Sequence, residues 1–168
     1  MLIRHLDIPE DIYCKMIEYL DTDEQREVHD FILDVIGIAI AGSKAPGIKE
    51  IVGQYKDWGG KAESTVINYD LQLPSIHAAL INSSAAHALD YDDAHNLSSC
   101  HTTCPIIPPT LAVAEAEGGI TGKNFILAVV LGIDVISTIA LSLRKNIHSG
   151  WLPTSVCGGF GVVASLSK

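Results

Sequence analysis

The sequence predicts an all-α domain. Apolar residues recur at the three-to-four-residue spacing of a helix in most segments, and Gly, Pro, Ser and Thr fall where those segments would begin and end. Only residues 64–68 resemble a strand, and that run is short. With 168 residues, 48% apolar and 18% charged, the chain is long enough for one domain with a sizeable core.

The elements follow in order. Residues 8–20 read as a short amphipathic helix with Pro9 in its first turn and Ile12, Met16, Ile17 and Leu20 on one side. Thr22 or Asp23 is a candidate cap for a second helix to about Ala41, whose apolar set is Val28, Phe31, Ile32, Val35, Ile36 and Ala39. A third helix spans residues 48–58 and is closed by Gly59 and Gly60. Ser75 is expected to cap a helix reaching about Leu89. Pro105, Pro108 and Pro109 mark a break before a helix through Glu117, which Gly118 and Gly119 stop, and Thr121 caps the next.

Residues 125–143 form the most apolar stretch, with Asp134 its one charge. Such a run reads either as a membrane span or as a buried core or oligomer-interface helix. The central carboxylate and the interspersed small residues favour the second, because a charge at mid-bilayer is costly. A last helix is expected over residues 153–167, with Gly158, Gly159 and Gly161 allowing close approach. No clear strand precedes those glycines, so they are weak grounds for phosphate binding.

Charge narrows the function. The chain has 11 Lys and Arg against 20 Asp and Glu, a formal net charge of −9, which disfavours nucleic acid and anionic membranes. No Lys or Arg occurs between Lys61 and Lys123. The four cysteines, Cys14, Cys100, Cys104 and Cys157, are scattered and form no disulfide framework. The acidic N-terminus resembles neither a secretory signal nor a mitochondrial presequence, which points to the cytoplasm.

Inside the cation-free stretch lies the densest titratable chemistry, Ala85-Ala86-His87-Ala88-Leu89-Asp90-Tyr91-Asp92-Asp93-Ala94-His95. If the helix continues to Tyr91, His87 and Tyr91 share a face and Asp90 follows His87 at i+3, with Asp92, Asp93 and His95 beyond the end. That pattern suits proton transfer. Metal readings use Cys100 and Cys104 with His95 and His101 as a zinc set, or His87, Asp90, Asp93 and His95 as a hydrolase centre; neither has paired ligand spacing, and no metal is expected. His87 reads equally as a satisfied helix histidine, and Asp92 as a solvated charge or helix-end partner.

This run, with Ala78 through Ser84 before it, resembles the signature of the MmgE/PrpD family, which includes 2-methylcitrate dehydratase, cis-aconitate decarboxylase and iminodisuccinate epimerase. Three collinear segments are also similar to that family: Phe31 through Ser43, His101 through Gly118, and Pro153-Thr154-Ser155-Val156-Cys157-Gly158-Gly159-Phe160-Gly161. The resemblance implies a helical main domain, of which residues 1–168 are the N-terminal part, with a second α+β domain beyond this chain. It implies homodimers, and lyase or isomerase chemistry on small polycarboxylates without metal or organic cofactor. It places Asp90 and His101 at active-site positions, His101 as the proton-transfer imidazole and Asp90 as its orienter or a substrate contact. Asp93, His95 and Ser155 are candidate substrate contacts, with Asp93 and His95 also readable as loop-shaping or rim groups. Ala94 stands where the family commonly has Thr, and Leu152 where it commonly has His. The expected function is therefore the N-terminal part of such a lyase, the alternative a non-catalytic helical remnant or dimerisation module.

Overall fold

The computed structural model describes residues 22–147 and 150–167, and the expected helix over 8–20 and Cys14 lie outside them. The described chain is built from six helices and one two-stranded hairpin: α1 Thr22–Gly42, α2 Ile48–Trp58, β1 Ser64–Thr65, β2 Gln72–Leu73, α3 Ser75–His87, α4 Ile107–Ala116, α5 Gly122–Ile147 and α6 Pro153–Leu166. The all-α expectation holds, with the hairpin as a small addition.

Helix α3 is the centre of the fold. Its sequence is rich in Ala and Ser and lacks a single apolar stripe, so it packs on several sides at once, against α1, α2 and α4. Ala78, Ile81, Ala85 and Ala86 are buried with Val35 and Ala39 of α1, Ile107 and Ala112 of α4, and Val129 of α5. A second, smaller cluster joins Cys100 to Ile136 and Ala140 of α5 and Cys157 of α6. Small residues set these distances. A Cβ on Gly42 would collide with the Ala85 carbonyl oxygen, and one on Gly161 would lie 2.7 Å from the Gly132 carbonyl oxygen. The α1–α3 and α5–α6 crossings are therefore backbone against backbone.

Several boundaries differ from the expectation. Strand β1 ends at Thr65 and pairs antiparallel with β2, Ser64 opposite Leu73 and Thr65 opposite Gln72. The short Asp70–Leu73 run carries too little apolar alternation to announce a strand. The hairpin is tied to the helices by side chains. Buried Asn82 accepts from the Ile67 N–H at 2.9 Å and donates to the Thr65 carbonyl at 2.9 Å, while Glu115 accepts from the Thr65 N–H at 2.7 Å. Ser75 is the first residue of α3 rather than its cap; Pro74 holds that position, and the Ser75 N–H donates to Glu63 at 3.2 Å. Helix α3 stops at His87, two residues early, because Asp90 takes a left-handed backbone with φ of 56°. Thr121 does cap α5, its hydroxyl accepting from the Asn124 N–H at 3.2 Å.

Helix α5 is long and apolar enough over Gly122–Leu143 to cross a membrane by length and composition, and about a third of that window is buried within this chain. Asp134 lies exposed on its surface.

The α5–α6 crossing predicts opposite outcomes for two glycines of one helix. Gly161→Ala is expected to lower the unfolding free energy by about 2 kcal/mol through overpacking. Gly159, around which a methyl group would meet nothing within 4 Å, gains about 0.5 kcal/mol as Ala. Urea denaturation of the two variants checks this, and equal effects would count against the close crossing.

Candidate active site

The loop from Ala88 to Ile106 leaves the end of α3 and returns to the start of α4, bringing His101 back beside His87. One carboxylate organises that return. Asp93 Oδ2 accepts from the Thr102 N–H at 3.2 Å and the Thr102 hydroxyl at 2.6 Å. Asp93 Oδ1 accepts from the Thr103 N–H at 2.9 Å and from the Thr103 hydroxyl. Four donors on one carboxylate leave it shaping the loop. A bridge from the His95 N–H to the Cys100 carbonyl, 2.9 Å, closes the turn between them. The His95 ring is engaged locally, its Nδ1 2.7 Å from the Ser98 hydroxyl. A third anchor comes from α6, where the Thr154 hydroxyl accepts from the His101 N–H at 2.8 Å.

The result is a cluster of His87, Asp90, Asp92 and His101, with one donor atom from each within 4.8 Å of the others. Asp92 is its buried member, with no side-chain exposure. The His87 Nδ1 lies 3.0 Å from both Asp92 oxygens. The His101 Nδ1 lies 3.2 Å from Asp92 Oδ2, but the carboxylate is off the axis of that nitrogen, so the pair meets at ion-pair distance without a formed hydrogen bond. Asp90 is on the open side, its Oδ1 3.7 Å from His101 Nε2. The two imidazoles stand edge to face, 4.8 Å between ring centroids.

The family resemblance puts His101 and Asp90 in one site, and the fold brings them together, through a turn rather than along a helix face. Tyr91 points away, 71% exposed. Of the two readings of Asp92, the solvated charge is corrected, since the carboxylate is buried and shared by two imidazoles, and the helix-end partner holds, since one of those rings is His87, the last residue of α3. Its signal is faint, a position five residues after His87 across a helix end. Asp93 and His95 lie in the same loop, turned to Thr102, Thr103 and Ser98. Ser155 is exposed in the first turn of α6, beside Thr154. Ala94 is exposed, and Leu152, also exposed, is the residue preceding α6. Thr154 does not stand out in the sequence, although a hydroxyl directly after Pro153 at a helix start is a common anchor.

Two His and two Asp side chains this close are a donor set that suits a divalent metal by residue type. The alternative sets do not come together in the same way, because Asp93 and His95 are spent on loop hydrogen bonds. Cys100 and Cys104 are buried, and burial raises both thiols; for Cys104 a hydrogen bond with Asp92 adds to the effect. A neutral thiol is a poor zinc ligand. Two apolar grooves of about 510 and 520 Å³, the first lined by Ile36, Ile67, Leu111 and Phe125 among others and the second by Ile76, Leu80, Val113 and Val162 among others, contain none of the clustered residues.

The Asp93 clamp makes a direct prediction. Asp93→Ala strands four donors and is expected to cost about 3 kcal/mol, while Asp93→Asn costs less because one oxygen still accepts. Thermal unfolding checks the order, and hydrogen exchange at the Thr102 and Thr103 amides should speed up in the Ala variant.

Comparison with known proteins agrees with this fold and loop. The MmgE/PrpD N-terminal domain family matches residues 13–168. The cis-aconitate decarboxylase of Mus musculus is 30% identical over 94% of this chain and 33% of its own length. That of Homo sapiens is 31% identical over 82% of this chain and 30% of its own. A cis-aconitate decarboxylase-like protein of Aspergillus oryzae is 25% identical over 86% and 31%. The chain thus spans about a third of the length of the curated relatives it matches. With the family match covering nearly every residue, the four-segment resemblance and the helical fold have one explanation: the chain belongs to the MmgE/PrpD family, as its N-terminal domain.

Proposed function

We propose that this chain supplies the N-terminal part of a lyase acting on a small polycarboxylate, with decarboxylation of cis-aconitate the favoured reaction and no metal or organic cofactor required. The observation that carries the reading is His101 gathered with Asp90 and Asp92 in a chain whose relatives include cis-aconitate decarboxylases. In such a reaction the C–C bond to the departing carboxylate breaks, its electron pair passes into the conjugated acid, CO2 leaves, and a proton forms the new C–H bond. His101 Nε2 is the donor of that proton, and Asp90 orients the ring from the open side. Of the remaining candidates, exposed Ser155 is the substrate contact in this reading, while Asp93 and His95 hold the loop that carries His101.

Charge sets a requirement. Residues 62–122 hold no Lys or Arg, and a substrate carboxylate beside Asp90 and Asp92 meets repulsion on the order of 1–4 kcal/mol per close pair. Cations from outside that stretch must offset it. A non-catalytic dimerisation module is the second reading, favoured by Ala94 and Leu152 in place of a hydroxyl and an imidazole.

A chimera separates the two. Residues 1–168 replace the corresponding third of the mouse relative, and release of CO2 from cis-aconitate is measured. The expected outcome is turnover that rises with Leu152→His and falls at least about a hundredfold with His101→Ala. No turnover even with Leu152→His and Ala94→Thr together would leave the module reading standing.

The partner is a second copy of the chain, in the cytoplasm, with neither membrane nor nucleic acid. Supporting this are the net charge of −9, the exposed Asp134 on α5, and exposed Leu141, Trp151, Leu152, Phe160 and Val163 on and beside α5 and α6, a face suited to a protein surface. Sedimentation without detergent should give the dimer mass. Retention in alkaline-washed membranes would sink the proposal.

A further inference from the structure

His87 is the half of the imidazole pair that the lyase reading does not use. Its Nδ1 faces both oxygens of Asp92 at 3.0 Å, and Asp92 has no exposed side-chain surface. A buried carboxylate accepting from Nδ1–H fixes the ring's tautomer and leaves the Nε2 lone pair on the opposite edge of the ring. That edge is directed away from the buried carboxylate, and the His87 side chain is 42% exposed, about twice the 22% of His101. A carboxylate behind one nitrogen and a free lone pair on the other is the arrangement of a general base. The groups around the pair are Asp90 on the open side, Thr154 from α6, and the Cys104 thiol, which burial and Asp92 keep protonated. None of these is a cation that would compete with the imidazoles for Asp92.

We infer that His87 is a second proton-transfer residue of the site, held in its working tautomer by Asp92 and paired with His101. This rests on the lyase reading and deepens it. A substrate carboxyl that lies beside Asp90 and the two rings, away from the cations that hold the other carboxylates, is favoured in its protonated form. CO2 leaves only from the ionised form. His87 Nε2, on a neutral ring, takes the carboxyl O–H proton, the C–C bond breaks, its electron pair reaches the carbon that takes the proton from Nε2–H of an imidazolium His101, which becomes neutral, and CO2 departs. His87 ends with one proton more and His101 with one fewer. Exchange with water at the two Nε2 edges restores both rings, so one substrate proton has moved from oxygen to carbon. Asp92 is a positioning residue, since it is buried behind the two imidazoles with no exposed side-chain surface.

The test begins with the 168-residue chain itself. Long-range proton–nitrogen NMR on the histidine-labelled protein at pH 8 reads the tautomer of each ring, with His87→Gln and His101→Gln giving the assignments. The expected result is His87 in the Nδ1–H form, and a ratio of Nδ1–H to Nε2–H forms about tenfold lower in Asp92→Asn, where a neutral acceptor replaces a charged one. Asp92→Glu should restore the wild-type ratio in part. If Asp92→Asn does not fold, the Nδ1 and Nε2 shifts of His87 in the wild-type chain decide alone, and an Nε2–H form overturns the inference. So does a ratio unchanged in a folded Asp92→Asn.

The second arm uses the chimera carrying Leu152→His. His87→Gln should lower kcat at least about tenfold with KM little changed, and the acid limb of the kcat profile should disappear. Loss confined to KM, or an unchanged kcat, overturns the role of His87 while leaving His101 in place. Full activity in His101→Ala would instead defeat the lyase reading, and the tautomer result stands apart from it.

Discussion

The Asp93 carboxylate is the constraint on which the site depends. Two consecutive threonines give it four donors, two from the backbone and two from side chains, and together they turn a nineteen-residue loop back on itself. Without that fold-back, His101 would sit far along the chain from His87. With it, two imidazoles meet over one buried carboxylate at the end of α3. The charge of Asp93 is satisfied almost wholly by the loop, which is why it can be so close to Asp90 and Asp92 in sequence and yet take no part in their cluster. Three neighbouring carboxylates have thus been given three environments: buried between rings, half-buried in a loop clamp, and open to solvent.

The helical scaffold does its work by keeping α3 immobile. Its faces are lined by alanines and serines, and partner helices approach to backbone contact where glycine replaces a side chain. Dense packing of small residues leaves few alternative rotamers, so the last turn, which carries His87, is positioned by the core rather than by its own hydrogen bonds. The hairpin performs a similar service from the other side, since Asn82 on α3 and Glu115 on α4 both hold its backbone.

Most of the helices are legible in the sequence because their signals are local. Apolar spacing, Thr121 before α5, Pro153 at the head of α6 and the paired glycines after α2 each act within a turn or two of the residue concerned. The second strand is not legible, since Gln72 and Leu73 become a strand only by pairing with Ser64 and Thr65. The end of α3 falls two residues short of its expected place because Asp90 adopts a left-handed backbone, a choice available to Asp but not announced by it. In the site, His101 and Asp90 are legible through the family signature. The burial of Asp92 and the anchoring by Thr154 are not, because both depend on contacts made across the fold.

The bond from the His101 N–H to Thr154 joins residues 53 positions apart and lends the site a history as well as a geometry. A chain made from its N-terminus releases His87, Asp92 and Asp93 early, followed by the threonines that clamp the loop. The clamp can close as soon as Thr103 emerges, yet the backbone of His101 gains its last support only when the head of α6 has docked. During synthesis the acidic loop is therefore shaped well before its imidazole is secured, and nascent chains that stop short of Thr154 hold the chemistry in an unfinished state.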